Sequence, residues 1–163
     1  MPNTYTPIAT QTLGSAAASV TFSSIPGSYT DLILIIDGTS ANDSNGGIRF
    51  NGDTTSNYSW TRLQGNGSTS TSARASNDTS IQSFTVGTST GGAGAAVIQI
   101  FNYANTTTLK TLLTRHGAAS VVVRAIVGLW RKTPEAITSI TIVTDNANFA
   151  IGSTFTLYGI KAA

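Results

Sequence analysis

Apolar and polar residues alternate along much of this chain, in short runs broken by clusters of Gly, Asn, Ser and Pro. In an extended strand successive side chains point to opposite faces, so this alternation reads as β-strands with one buried face. Residues 95–103 are an example: Ala96, Ile98 and Ile100 share one face, with Val97 and Phe101 on the other. Such runs recur about every ten to fifteen residues, the spacing of a sandwich or barrel, and predict about ten strands. They fall at residues 8–13, 18–22, 32–37, 48–51, 60–63, 81–86, 95–103, 109–116, 121–130, 137–144 and 155–160.

The first two runs are expected to form a hairpin through Gly14-Ser15, and Ser24-Ile25-Pro26-Gly27-Ser28 to turn the chain into the third. That third run, Leu32-Ile33-Leu34-Ile35-Ile36, does not alternate, so it calls for apolar cover on both faces, one the core and the other a subunit contact. The run from Val121 likewise has apolar residues on both sides. Residues 38–47 and 65–78 read as polar loops, 56–60 as a helical turn, and Asn51-Gly52-Asp53 as a turn. The fold class expected is all-β: a single antiparallel β-sandwich over residues 8–163, preceded by an extended N-terminal arm at residues 1–7, where Pro2 and Pro7 favour an ordered, stretched backbone.

Composition sharpens this. The usual helix builders are scarce, with Thr, Val and Ile in their place. Charged residues make up 10% of the 163, well under the typical figure of about 25%, so the surface is polar but nearly neutral. Little charge repulsion keeps such molecules apart, which suits a life packed against neighbours. The net charge of +2 is scattered and forms no phosphate-tracking stripe, so no nucleic-acid partner is expected. No apolar run is long enough to span a bilayer, the first residues lack the pattern of a secretory signal, and no membrane association is expected. The chain has no cysteine.

Candidate chemistry is sparse. His116, the sole histidine, rules out a histidine cluster within one chain and reads as a turn or surface residue. The seven carboxylates, Asp31, Asp37, Asp43, Asp53, Asp78, Glu135 and Asp145, mostly stand beside Gly, Asn or Ser, where such groups stabilise turns. Asp37, Asp43 and Asn45 are the residues a loose calcium site would use, but the terminal glutamate of a calcium-binding loop is missing. Gly91-Gly92-Ala93-Gly94 leads into a strand rather than a helix, unlike a phosphate cradle. The Asn-x-Ser/Thr matches are what so Asn- and Ser-rich a chain produces by chance. Neither a catalytic residue, a metal site nor a cofactor is expected. Tyr58 and Trp60, with Arg62 beside them, are candidates for a sugar-stacking platform or for a core or interface cluster.

Three segments, Phe22-Ser23-Ser24-Ile25-Pro26-Gly27-Ser28-Tyr29-Thr30-Asp31-Leu32, Ile48-Arg49-Phe50-Asn51-Gly52-Asp53 with Asn57-Tyr58 after it, and Phe155-Thr156-Leu157-Tyr158-Gly159-Ile160, together resemble small virion structural proteins of tailed bacteriophages, particularly those of cyanobacteria. The resemblance implies a jelly-roll-like sandwich made in the host cytoplasm and carried on the virion. It implies a capsid decoration or cement protein, often a homotrimer, whose partners are the major capsid protein or other virion proteins. Pro2, Tyr5 and Pro7 of the arm are then candidate contacts with a neighbour. The alternative is a tail-fibre or adhesin module that binds host glycan through residues 40–47 and 65–78, with Tyr58, Trp60 and Arg62 as its platform.

Overall fold

The computed structural model describes residues 4–88, 91–118 and 122–161. Twelve strands follow one another: β1 (Tyr5–Thr12), β2 (Ser19–Phe22), β3 (Asp31–Ser40), β4 (Ser44–Phe50), β5 (Tyr58–Gly65), β6 (Ser70–Asp78), β7 (Ile81–Thr88), β8 (Gly94–Ile100), β9 (Lys110–Ala118), β10 (Val122–Trp130), β11 (Ile140–Thr144) and β12 (Thr154–Ile160). The chain is all-β, as its alternation requires.

Antiparallel pairing links eight of them in the order β1-β12-β3-β8-β9-β10-β5-β6. The other four pair as β2-β11-β4-β7. A short parallel ladder, Thr39 with Gly87 and Ser40 with Thr88, joins β3 to β7 and ties the two layers together. Only the β5–β6 hairpin and the β8–β9–β10 meander stay within one layer. Every other connection crosses between them, which gives the sandwich its jelly-roll character.

The core follows from period-two alternation on each strand. Leu32, Leu34 and Ile36 of β3, Ala96, Ile98 and Ile100 of β8, and Phe155 and Leu157 of β12 face Val20, Phe22, Ile48, Phe50, Phe84, Val86, Ile140 and Ile142 of the smaller layer. Close approach is set by missing side chains. A Cβ on Gly128 would lie 2.3 Å from Ile81, and one on Gly159 would lie 2.3 Å from the ring of Tyr29, so both positions accept only glycine without rearrangement.

Several local expectations change. The first two strands are not a hairpin: β1 pairs with β12 and β2 with β11, because each finds its apolar complement far along the chain. The expected arm is part of the sheet from Tyr5 onward, with Tyr5 opposite Ile160 and Pro7 opposite Tyr158. Pro2 lies outside the described residues. Residues 70–78, expected as loop, form β6, since backbone pairing with β5 organises a Ser/Thr-rich segment that carries no hydrophobic signal. The loop expected at 38–47 shrinks because β3 runs to Ser40 and β4 starts at Ser44. No helical turn forms at 56–60; β5 begins at Tyr58.

The Asn51-Gly52 turn is present, with both residues at positive φ (50° and 68°) and Asp53 N–H donating to the Phe50 carbonyl at 2.9 Å. It anchors one end of the sandwich. The Asp53 carboxylate is nearly buried and accepts bonds from Thr55 N–H and hydroxyl, Asn57 Nδ2 and the Trp130 indole N–H, the last at 2.8 Å. Tyr58 donates to the Asp53 carbonyl at 3.0 Å, and its ring stacks on Trp130. Burial works to raise the Asp53 pKa, but the bonds from Thr55, Asn57 and Trp130 outweigh it and hold the carboxyl far below the usual range. A carboxyl depressed in this way adds stability that is complete above the ordinary aspartate pKa and is lost as pH falls toward its native value. We expect Asp53→Ala to destabilise the fold by about 2–4 kcal/mol, since several buried donors lose their acceptor at about 1–3 kcal/mol each at most. Urea unfolding followed by tryptophan fluorescence measures it, and below about pH 3 the difference from wild type should narrow.

Candidate interaction surface

The eight-stranded sheet has one face in the core and one turned outward. Register fixes which residues share the outward face. One row across it runs Tyr158, Ile33, Gln99, Leu113, Val127, Thr61 and Arg74; the next runs Thr156, Ile35, Val97, Arg115, Ala125, Leu63 and Ser72. Val123 stands one row further along. The middle of this face is therefore aliphatic, and much of it is open: Val123 is 66% exposed, Leu63 62%, Val127 56% and Ile35 40%. Two shallow depressions of about 690 and 630 Å³ lie over β10, β5 and β6, the first beside Leu63, Val123 and Ala125, the second beside Thr61, Val127 and Leu129.

The charges set into this face are telling. Arg115 sits among Val97, Ala125 and Leu113, with no carboxylate on the adjoining outward positions. Asp31 and Asp37 flank Ile33 and Ile35 on β3's outward row, and Asp31 also accepts the Asn102 N–H. Exposed aliphatic side chains grouped on β10 and β5, with few charges around them, are the layout of a contact surface.

The proposed aromatic platform is not on this face. Tyr58 is fully buried, with its hydroxyl bonded to Phe50 and Asp53 backbone, so no ligand can reach its ring. Trp60 and Arg62 follow it on the core-facing side of β5. The Trp60 indole N–H donates to Asp78 at 3.0 Å, pinning the end of β6, while the Arg62 guanidinium lies 5.6 Å from the Trp60 ring centre and donates to Gln82. These residues do structural work inside the sandwich. Tyr5 is 58% exposed at the β1 edge, and Pro7 lies beside it.

Toward one end of the sandwich the core-facing side turns polar. Thr114, Ile126 and Arg62 stand in register, followed by His116, Arg124 and Gln64. Arg124 donates to Gln64 and Asn45, and Arg62 to Gln82, so neutral amides rather than carboxylates hold both guanidiniums. Asp145 organises the adjoining turn, accepting from Ser44 and from the backbone and side chain of Asn45. Asn45, one of the three residues considered for calcium, thus has its oxygen on a cation. Among the described residues no group of three or more acidic or histidine side chains is placed to hold a metal.

His116 is buried here, not at the surface as expected from the sequence, and its Nε2 accepts the Thr85 N–H in a long bond of 3.4 Å. That assignment puts the ring proton on Nδ1. Burial, reinforced by the Arg124 charge, pushes its pKa down to about 4. Between that value and about 6.5 the unfolded chain binds a proton that the native state refuses, so stability falls as pH drops through this window. We expect the melting temperature to decline from pH 6.5 toward pH 4, and His116→Gln to flatten that slope. Calorimetry across the range checks it.

No family model matches the chain, and no curated protein matches it in sequence. Among solved structures it is similar to a Caenorhabditis elegans galectin (7% identity, TM-score 0.35, covering 94% of this chain and 96% of that one). It is also similar to the tobacco streak virus coat protein (9% identity, TM-score 0.25, 100% and 89%) and to a human SPRY domain (8% identity, TM-score 0.23, 96% and 99%). At these scores the likenesses carry no functional argument.

Proposed function

We propose that this chain is a non-catalytic structural subunit of a virion, a decoration or cement protein that binds the assembled head of a tailed phage through the outward face of its eight-stranded sheet. The observation that carries the binding role is the set of exposed aliphatic residues on this face, Leu63, Val123 and Val127 on β5 and β10 and Ile35 on β3. The face as a whole is large enough: eight strands about 4.8 Å apart and about seven residues long span roughly 900 Å², against the ~800 Å² per partner of a stable interface. Arg115, set in the middle of that face, asks for an acidic group on the partner.

The virion assignment rests on the sequence resemblance, with the major capsid protein or another virion protein as the partner. A nearly neutral, Ser/Thr-rich exterior suits a subunit that spends its life among neighbours. The carboxylates favour a structural role over catalysis: Asp31, Asp53, Asp78, Glu135 and Asp145 all serve as anchors for turns, loops or ring N–H groups. Cementing needs no reactive centre. A protein that binds only the assembled shell stabilises it by mass action.

Val127→Asp and Leu63→Asp place charge on exposed positions, so each should leave the melting temperature within a few degrees of wild type while abolishing particle binding. Sedimentation of purified protein with particles lacking it reads the binding. Heating particles with and without the wild-type protein and following genome release reads the function. Unimpaired binding by both variants, or equal heat resistance of the two particle types, would refute the proposal.

A further inference from the structure

The eight-stranded sheet has two edges, and they are treated differently. At β1 the edge is interrupted by Pro7 and by a register shift between Pro7 and Ala9, both devices that stop another strand from adding. The smaller layer ends in β2, which is four residues long and too short to template a partner. β6 is less protected. It is nine residues long, Ser70 to Asp78, pairs only with β5, contains no proline, and carries its one register irregularity at the far end, beside Tyr58. Along its extended part the only charge is Arg74.

β6 is also held ready. Its start is fixed by a turn in which Asn66 accepts bonds from Ser68 and Thr69, with Gly67 at φ 85°. Its end is fixed by Trp60 on Asp78 and by Arg131 on Asn77. An ordered, extended, uncovered edge presents unpaired backbone donors and acceptors at a spacing that another strand matches.

We propose that β6 is the contact by which two copies of this chain associate, pairing antiparallel with β6 of the second copy across a two-fold axis to give one continuous sheet. The sequence of the strand selects the register. Residues directly opposite must lie on the same face, so a residue sits on the axis facing itself. An axis at Arg74 sets two guanidiniums against each other. An axis at Ala75 pairs Ala73 with Asn77, whose φ of 60° leaves the extended conformation. An axis at Ala73 avoids both. It is the midpoint of the extended run 70–76 and places Arg74 opposite Ser72, Ala75 opposite Thr71 and Ser76 opposite Ser70. This contact is two-fold, separate from the trimer that the sequence resemblance implies, and it uses an edge that the proposed shell-binding face leaves free.

Charge at position 72 tests the register, because Ser72 is exposed and lies opposite Arg74 of the second copy twice in each dimer. Sedimentation equilibrium of the full chain at low salt should show reversible dimerisation. Ser72→Glu should tighten it tenfold or more, Ser72→Lys should weaken it by at least as much, and the double change Ser72→Lys with Arg74→Glu should recover it. Hydrogen exchange should show β6 amides protected at high concentration and open at low. A wild-type chain that stays monomeric, or a dimer indifferent to charge at 72 but lost in Val127→Asp, would overturn the proposal. Val127→Asp, which should abolish particle binding, should leave dimerisation at its wild-type strength, which separates this contact from the shell-binding face.

Discussion

Two-residue periodicity, acting on an uninterrupted aliphatic run, is the constraint on which this structure depends. Strand β3 must bury Leu32, Leu34 and Ile36, because it is an interior strand of the larger sheet, paired with β12 and β8, and also pairs with β7 of the smaller layer. The pleat then turns Ile33 and Ile35 to the opposite face, where Ile33 is covered and Ile35 is left 40% exposed. Nothing about the core requires an aliphatic residue at Ile35; Thr, Gln or Lys would serve a solvated position better. The same holds on β10, where Ile126 is buried while Val123 and Val127 point the other way. An apolar core and an apolar exterior are thus two sides of the same strands, and the second has its own reason to exist.

Polar groups divide the sandwich lengthwise. At one end Asp53 gathers Thr55, Asn57 and Trp130, a charge nearly buried among donors that favour its ionised form. At the other, Arg124 and Arg62 meet only amide oxygens, and repulsion between them adds to burial in lowering the Arg124 pKa to about 10. Acid acts on both ends in the same direction, protonating Asp53 out of its bonds and charging His116 beside Arg124. The aliphatic side chains between them carry no such sensitivity.

Period and turn chemistry made most of this architecture legible. The alternating segments gave the strands of both layers, the inward set Ala96, Ile98 and Ile100, and the Asn51-Gly52 turn. The unbroken run at Leu32–Ile36 pointed to a second apolar face, and Val97, Leu113, Val123 and Val127 complete it once register is known. Register is the part a sequence hides. Tyr58, Trp60 and Arg62 share a face by period alone, but the same period puts Leu63 on the opposite one. Only pairing with β10 and β6 shows that the aromatics are inside and the leucine out. Partner choice is equally remote: β1 closes on β12 from the other end of the chain, which local turn signals at Gly14-Ser15 could not reveal. β6 escaped for a different reason: its only apolar residues are Ala73 and Ala75, half-buried and too small to make a hydrophobic pattern.

The two exposed features, the face and the edge, differ in what they will accept. A face-to-face stack of two identical copies about a central two-fold axis brings the middle of the sheet against itself. Arg115 lies on β9, one of the two central strands, among aliphatic neighbours that would strip its water on contact. Two such guanidiniums pressed together in a dry interface cost more than the surrounding methyl groups return. The face is therefore a poor match for a second copy of itself, in keeping with the proposal that its partner is a different protein bringing a carboxylate. At the edge the sole charge of the extended run 70–76, Arg74, is one residue off the proposed axis, where it would meet a serine rather than itself. Under the two proposed contacts, a single arginine in each place would separate self-association at the edge from binding of a different protein on the face.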